Sequence, residues 1–205
     1  MKKSITTRSG DRGNTCLFSG EGVSKDSPRM HACGTLDELV SFLGLAKASI
    51  LHVGRDGKKE GWCELNNSNE SLDQDEKERW MYVAVELQKI QKALFTLGAE
   101  IATSPKYVDG IKERVSESWV HEMDIKLARI EEEISMPKGF ILPGLTLAGA
   151  HLDICRTTAR RLERLIVGLT QDGTLENPQM VIWVNRLSDY LWLLARYIEG
   201  DSTPL

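Results

Sequence analysis

The sequence predicts an all-α protein, a five-helix bundle that follows a glycine-rich N-terminal loop. Apolar residues recur at steps of three and four along most of the chain, several of these stretches carry helix start or stop signals, and almost no segment alternates as a strand does. With 205 residues, 41% of them hydrophobic, the chain suits one domain with a substantial core. We therefore treat residues 1–205 as a single domain, with the loop at 1–33 and the bundle at 34–200.

The N-terminal loop is rich in glycine, serine and threonine over residues 4–33, which favours an ordered loop or short strands over a helix. Glycines stand at positions 10, 13, 20 and 22, with Arg8, Arg12 and Lys25 close by. Such a loop can turn backbone N–H groups toward a phosphate, and the cations would complete the charge match. It has neither a Walker A sequence nor a Rossmann context, so the spacing alone does not specify a nucleotide.

Helix one is predicted to begin at Thr35, because Thr35 and Glu38 have the spacing of a capping box and an apolar stripe follows. Asp37 would then lie in the first turn, where a carboxylate favours the helix dipole. Residues 52–74 are polar and aperiodic and predict an exposed loop. Helix two follows with an unbroken stripe of Trp80, Val83, Leu87, Ile90, Leu94, Leu97 and Ile101.

The remaining helices follow a second predicted loop at residues 104–116. Helix three has its apolar positions between Val120 and Ile134, and helix four runs from about Leu147 to Leu169. Helix five opens with Asn177 as N-cap and Pro178 at the first helical position, and Gly200 predicts its end. The pattern is that of bundle helices, each with one buried stripe.

Charge and motif content exclude several classes of protein. A net charge of −4 argues against general nucleic-acid binding, which needs a broad basic surface. No apolar run approaches the length of a membrane span and the start "MKKSITTRSG" lacks an apolar signal core, so we expect a soluble intracellular protein, cytoplasmic or, in a eukaryote with its transit peptide removed, in the mitochondrial matrix. The cysteines form no C-x-x-C pair, which disfavours a zinc site or a disulfide framework.

The segment "RTTARRLER" is the feature that composition does not predict. Arg156, Arg160 and Arg164 fall on one face of helix four, and like charges four residues apart destabilise a helix by about 0.2–0.5 kcal/mol per pair. A bound anion would remove that penalty. The alternative is a solvated face on which Glu163 supplies part of the counter-charge.

The segment "NRLSDY" in helix five places Asn185 and Asp189 four residues apart at the edge of an apolar stripe. These two side chains could orient a ligand, or they could pair with Arg196 and other arginines. The E-x-x-H pairs of di-iron bundles are missing, as are H-E-x-x-H and G-x-S-x-G. The positive charge therefore suits binding and leaving-group stabilisation better than acid–base work.

Three blocks taken together, "TRSGDRGNT" with "SKDSPR", "GTLDELVSFLG", and "FILPG" with "RTTARRLER" and "NRLSDYLWLLARY", closely resemble the PduO-type ATP:cob(I)alamin adenosyltransferases. The resemblance implies a five-helix bundle that forms homotrimers with active sites between subunits. It also implies ATP binding by the N-terminal loop of one subunit and the arginine helix of its neighbour. By position, the implied ATP contacts are Thr7, Arg8, Ser9, Gly10, Thr15, Cys16, Lys25, Arg160, Arg161, Glu163, Arg164 and Asn185.

The resemblance further implies a pair between Asp37 and Arg156, either between subunits or organising the site. Phe140 would lie under the corrin ring and exclude the lower axial ligand of cobalt, and Asp189 would belong to the same corrinoid site; a plain hydrophobic anchor ahead of a turn is the alternative for Phe140. Arg156, Arg160, Asp37 and Phe140 would thus serve catalysis. Leu145 and Cys16 depart from the family's usual "LPGG" and small hydroxyl residue, so a side-chain hydrogen bond from position 16 is not expected.

The implied reaction fits these residue types. Co(I) of cob(I)alamin attacks the 5′ carbon of ATP, triphosphate leaves, and arginines, Lys25 and Mg²⁺ stabilise it electrostatically. Partners implied are an adenosylcobalamin-dependent enzyme and a cobalamin reductase, with no nucleic acid and no membrane. Two alternatives remain: a non-catalytic chaperone that delivers adenosylcobalamin, and a nucleotide-binding bundle without corrinoid.

Overall fold

The computed structural model describes Thr6, residues 8–56 and residues 72–200. Over these ranges the protein is all-α apart from one small hairpin, as the sequence predicts. Its elements are β1 (Asn14–Cys16), β2 (Gly22–Ser24), α1 (Pro28–Asp56), α2 (Gln74–Ile101), a 3-10 helix (Pro105–Gly110), α3 (Glu117–Glu133), α4 (Leu147–Gln171) and α5 (Pro178–Glu199). None of the helices in the described ranges is both long and apolar enough to cross a membrane.

One continuous core joins the helices. Helix α4 packs against α1 and α5, α2 packs against α1 and α5, and α3 packs on α5. Each helix turns leucine, isoleucine or aromatic side chains inward at the periodic positions, and burial of such a side chain is worth about 1.5–3 kcal/mol. Members that are fully or nearly fully buried include Leu39, Leu43, Leu87, Leu94, Ile130, Leu152, Leu162, Leu187, Tyr190 and Leu194.

The start of α1 differs from the sequence prediction. The helix begins at Pro28, so Thr35 lies inside it and the predicted capping box with Glu38 is wrong. Asp37 is consequently not in the first turn, and the dipole role assigned to it is wrong as well. The prediction that residues 4–33 avoid helix fails for residues 28–33, because the helix begins at Pro28, about two turns before the predicted apolar stripe at Leu36.

The predicted loop at 52–74 is also partly wrong. Helix α1 continues to Asp56, and residues 57–71 lie outside the described ranges. Asp73 is the N-cap of α2: its carboxylate accepts the Glu76 N–H, and the Glu76 side chain accepts the Asp73 N–H. This reciprocal capping box fixes the start of the helix. The loop at 104–116 contains the 3-10 helix.

Helices α4 and α5 follow the sequence closely. Thr146 caps α4 by accepting the Gly149 N–H, and Asn177 caps α5 by accepting the Gln179 N–H. Helix α5 stops at Gly200, whose φ of +71° is a conformation that favours glycine. These two helices carry most of the candidate site residues.

Arg29 ties one end of the bundle together. Its buried guanidinium donates to the carbonyl oxygens of Ile101 at 2.5 Å, Thr103 at 2.8 Å and Thr174 at 2.9 Å. It therefore joins the start of α1 to the end of α2 and to the turn before α5. Burial lowers the pKa of Arg29, and the cation is stabilised by these carbonyls and by nearby acidic groups.

We expect Arg29→Ala to lower the free energy of unfolding by about 2–4 kcal/mol, because it leaves three carbonyl groups without their charged donor. Urea denaturation of the substrate-free protein measures the change. Arg12→Ala, which removes an exposed arginine from the N-terminal loop, is the matched control and should change the stability by less than about 0.5 kcal/mol. Equal effects of the two substitutions would contradict this role of Arg29.

Candidate functional site

The arginine face lies on α4, as the sequence predicts. Arg160 and Arg164 are exposed, and within the described part of the chain neither forms an ion pair or hydrogen bond. Arg161 instead pairs with Glu38 of α1. Glu163 accepts a hydrogen bond from Asn185 Nδ2 at 3.0 Å through Oε1, and within the described residues it forms no ion pair with Arg160 or Arg164. Two guanidinium groups on one face therefore remain available to an anion.

The Asn185 side chain is held from two sides. It donates to Glu163, and its Oδ1 accepts from Arg186 Nη1 at 3.2 Å. Arg186 Nε in turn donates to Asp124 of α3 at 2.8 Å. This chain of polar contacts fixes Asn185 at the border of the arginine face. Arg186 is not among the site residues predicted from the sequence. Its position directly after Asn185 in "NRLSDY" is the sequence feature that could have identified it.

The N-terminal residues form a hairpin whose strands pair Asn14 with Ser24, Thr15 with Val23 and Cys16 with Gly22. The hairpin is attached to the end of α2, because the Phe18 N–H donates to the Ala102 carbonyl at 2.8 Å. Within the loop before β1, Arg8 has a φ of +58° and Gly13 a φ of +81°.

Lys25 folds back over the N-terminal loop, and its Nζ lies 2.6 Å from the point where a Cβ on Gly10 would stand. The absence of a side chain at Gly10 thus makes room for the ammonium group. The Lys25 N–H also donates to the Gly13 carbonyl at 2.9 Å. The structure therefore brings Lys25, Gly10 and Arg8 into one short segment, while Thr7 lies outside the described residues.

The hairpin and the arginine face form no polar contact with each other within the described chain. In the described ranges, no hydrogen bond or ion pair joins Arg8, Lys25 or Cys16 to the arginines of α4. Within the described residues, no polar contact therefore joins the two halves of the sequence-predicted ATP site.

Phe140 lies in the segment between α3 and α4, with 87% of its side chain exposed. Leu142 is 68% exposed in the same segment, and Gly144 has a φ of +106°, which only glycine adopts without strain. Phe140 is therefore not anchored in the core of the described chain. Asp189 is also exposed, on α5, four residues beyond Asn185.

Arg156 does not pair with Asp37 within the chain. Its Nε donates to Asp153 Oδ1 at 3.2 Å, whereas Asp37 is exposed on α1. An Asp37–Arg156 pair between two subunits stays a prediction. The suggested pairing of Asn185 or Asp189 with Arg196 is wrong, because Arg196 is buried and binds Asp153 and Glu199. The suggested pairing with another arginine is confirmed for Asn185, which accepts from Arg186.

The acidic partners of Arg196 are residues that the sequence analysis missed. Asp153 and Arg156, and likewise Arg196 and Glu199, stand three residues apart on their helices, which is a recognisable ion-pair spacing. Burial raises the pKa of Glu199, while Arg196 and the Thr146 N–H favour its charged form.

The comparisons with known proteins identify the family. A family model described as cobalamin adenosyltransferase matches residues 5–198. The chain belongs to the cobalamin adenosyltransferase family. It is 34% identical over 200 residues to a corrinoid adenosyltransferase of Citrobacter freundii, an alignment that covers 98% of this chain and 96% of that relative.

Two further cobalamin adenosyltransferase relatives extend the comparison. The corrinoid adenosyltransferase PduO of Salmonella typhimurium is 32% identical over 198 residues, which cover 97% of this chain and 50% of that longer protein. A variant PduO-type ATP:corrinoid adenosyltransferase from Lactobacillus reuteri, solved with cobalamin and ATP, has the same fold with a TM-score of 0.77 and 28% identity, covering 98% of this chain and 99% of that one.

Proposed function

We propose that this protein transfers the 5′-deoxyadenosyl group of ATP to the cobalt of cob(I)alamin, which yields adenosylcobalamin and triphosphate. The observation that carries the proposal is the pair of exposed guanidinium groups of Arg160 and Arg164, which have no partner among the described residues, in a member of the cobalamin adenosyltransferase family. The Lactobacillus reuteri relative was solved with both cobalamin and ATP, which supports these two molecules as the substrates.

In this reaction Co(I) supplies an electron pair to the 5′ carbon of ATP as the bond from that carbon to the triphosphate oxygen breaks. The Co–C bond forms, and triphosphate leaves with the electrons of the broken bond. The fixed positive charge of Arg160 and Arg164 favours the state in which negative charge builds up on the leaving group. Arg161 and Arg156 extend the face on either side, and no protein proton transfer is needed.

We propose that Mg²⁺ enters with the triphosphate. Mg²⁺ in nucleotide sites usually keeps several waters and binds substrate phosphates with one or two carboxylates, so the phosphate oxygens of ATP would be among its ligands. The ion and the arginines would then both stabilise the negative charge of the triphosphate leaving group.

The finer architecture we propose is a five-helix bundle with a glycine-rich nucleotide-binding loop, assembled as a homotrimer with sites between subunits. The lack of polar contact between the hairpin and the arginine face within the described residues supports this assembly, because a neighbouring subunit could supply the missing half. Exposed apolar side chains at Leu45 of α1 and Ile154 of α4 would find partners in such contacts. Thr7, Arg8, Ser9, Gly10, Thr15, Cys16 and Lys25 would meet Arg160, Arg161, Glu163, Arg164 and Asn185.

The corrinoid side of the site would use Phe140 and Asp189. Phe140 is exposed in the segment that leads into α4, so its ring is available to cover the lower face of the corrin. Without a ligand below, Co(II) is four-coordinate and easier to reduce. Asp37 would pair with Arg156 across the subunit boundary.

The decisive experiment mixes the protein with ATP, Mg²⁺ and chemically reduced cobalamin and follows the visible spectrum for adenosylcobalamin. Formation of adenosylcobalamin and triphosphate in equal amounts supports the proposal. Corrinoid binding without turnover would favour a chaperone that delivers the cofactor, and the absence of corrinoid binding would leave a nucleotide-binding bundle. Lysozyme at the same concentration serves as the blank for unassisted reaction.

We propose two partner proteins: a reductase that supplies Co(I) before the reaction, and an adenosylcobalamin-dependent enzyme that receives the product after it. The compartment would be the cytoplasm, or the mitochondrial matrix in a eukaryote. Neither nucleic acid nor a membrane is a proposed partner.

The shared site makes a prediction for mixed assemblies. We expect Lys25→Ala and Arg160→Ala each to lose most activity, and a mixture of the two, dissociated and reassembled, to regain part of it, because some sites would combine two intact halves. Activity per subunit after reassembly measures this, and each variant reassembled alone is the control. No recovery from a mixture shown to form mixed trimers would contradict a site built from two subunits.

A further inference from the structure

Four charged side chains form one connected group where the start of α4 lies beside the end of α5. Asp153 accepts from Arg156 Nε at 3.2 Å through Oδ1 and from Arg196 Nη2 at 2.8 Å through Oδ2. Arg196 Nη2 also lies 2.6 Å from Glu199 Oε2, and Glu199 Oε1 accepts the Thr146 N–H at 3.2 Å. Two carboxylates and two guanidinium groups thus balance in charge.

The interior of this group is not arranged for greatest stability. Arg196 is only 2% exposed, and within the described part of the chain its Nε and Nη1 have no hydrogen-bond partner. Leaving such buried donors unpaired costs free energy, and apolar replacement of buried ion pairs is often neutral or stabilising. Trp192 offers its ring 5.7 Å from the guanidinium carbon, which offsets only part of that cost.

The backbone of α4 is shaped around the same group. A Cβ built on Gly149 would collide with the Glu199 side chain, with 2.5 Å to its Cδ, so only glycine lets the carboxylate reach the Thr146 N–H. Glu199 thereby holds Thr146, the N-cap residue of α4, which lies two positions after Gly144. The group is consequently connected at one end to the segment that carries Phe140 and at the other to Arg156.

The contact with Asp153 leaves only the two terminal nitrogens of Arg156 available for a further hydrogen bond. Asp153 takes the Nε hydrogen, while the two terminal nitrogens of Arg156 have no hydrogen bond within the described residues. Arg156 is 27% exposed at its side chain and stands one helical turn before Arg160. A guanidinium anchored through Nε presents its outer edge in one orientation, which suits a fork-like contact with an anion.

We infer that Asp153 is a positioning residue that orients Arg156 for the reaction, and that Arg196 and Glu199 hold Asp153 in place. This inference rests on the proposed adenosyl transfer, and it adds three residues that act through Arg156 without contacting the substrate.

A double-mutant cycle tests the inference. Asn at position 153 has a single side-chain oxygen, so Asp153→Asn can accept well from only one of the two arginines. We expect it to lower kcat/KM for ATP by about tenfold in the full enzyme. In an Arg156→Ala background the same change should alter kcat/KM by less than about twofold, because the residue through which it acts is gone. Equal losses in both backgrounds would overturn the inference.

Glu199→Gln provides a second route if Asp153→Asn folds poorly. It keeps an acceptor for the Thr146 N–H but loses the charge that faces Arg196, so a smaller loss of kcat/KM, about threefold, is expected. That loss too should vanish when Arg156 is alanine. Glu86→Gln is the matched control, since Glu86 is 1% exposed and bound to Lys89, Lys126 and Tyr190 elsewhere in the bundle. Its effect should not depend on Arg156.

A measurement without turnover separates this inference from the proposed function. In ¹H–¹⁵N NMR spectra of the substrate-free protein, the Arg156 Nε–H resonance is identified by its loss in Arg156→Lys. It should shift in Asp153→Asn and stay in place in Glu86→Gln. An unmoved resonance in Asp153→Asn overturns the positioning role even if the enzyme is active. A shifted resonance in a protein that makes no adenosylcobalamin overturns the proposed function, while the Asp153–Arg156 contact stands.

Discussion

Arg160→Ala is expected to lower kcat for adenosylcobalamin formation by about 10²-fold and to weaken ATP binding. Arg160 is exposed on α4 and forms no ion pair within the described residues, so its guanidinium is available to the triphosphate. Removal of one preorganised donor to a developing anion typically costs about 10²–10³ in rate. Steady-state kinetics with saturating cob(I)alamin, together with calorimetric titration of ATP, measure the two effects.

Two control variants make the Arg160 result specific. Arg129→Ala removes an arginine of α3 that pairs with Glu133 and lies over the Tyr82 ring of α2, and it should leave kcat within about twofold. Arg161→Ala should have a smaller effect than Arg160→Ala, because Glu38 already neutralises part of the Arg161 charge. Turnover and ATP affinity that are unchanged in Arg160→Ala would show that the triphosphate does not lie on this face.

The sequence predicted helices best where burial and capping agree. In α5, the apolar stripe from Val181 to Leu194, the Asn177 cap and the Gly200 stop all predict the same helix, and the structure contains it. The start of α1 was misplaced because Thr35 and Glu38 satisfy a local rule inside a helix that had already begun at Pro28. Capping spacing is a local signal, and it cannot show whether the preceding residues have tertiary partners.

Arg29 shows what was missing at that end of the bundle. Its three carbonyl acceptors come from residues 72, 74 and 145 positions further along the chain. Such contacts order the first turn of α1, but a pattern within a short stretch of sequence cannot reveal them because the partners are so far apart along the chain. The same limit explains why Asp73, at the far end of a polar stretch, was not predicted as the cap of α2.

The candidate site was predictable in part. Helical spacing placed the arginines on one face, and Arg160 and Arg164 do remain unpaired there in the described structure. Helical spacing could not show that Arg161 forms an ion pair with Glu38 or that Glu163 accepts a hydrogen bond from Asn185, because those contacts join different helices. The buried Asp153–Arg196 pair joins α4 to α5 across 43 positions and was invisible for the same reason.

Phe140→Ala is expected to leave folding intact and to suppress four-coordinate Co(II) in the ATP-bound protein. The Phe140 side chain is 87% exposed, so its truncation should change the free energy of unfolding by less than about 0.5 kcal/mol. If its ring covers the lower face of the corrin, its loss lets water reach cobalt there. A water ligand stabilises five-coordinate Co(II) and disfavours reduction to the nucleophilic Co(I). Loss of such a contact is worth about 2 kcal/mol, or roughly thirtyfold in rate.

Electronic absorption spectra and electron paramagnetic resonance spectra of the Co(II) complex distinguish the four-coordinate state from the five-coordinate state. Phe95→Ala is the matched control, because Phe95 is also strongly exposed, at 69%, but lies on α2. It should leave the four-coordinate fraction unchanged. If Phe140→Ala keeps the full four-coordinate signal with ATP bound, Phe140 does not cover the cobalt. Its exposure would then require another partner, and Leu142, an exposed apolar side chain two residues further on, would be the next candidate to test.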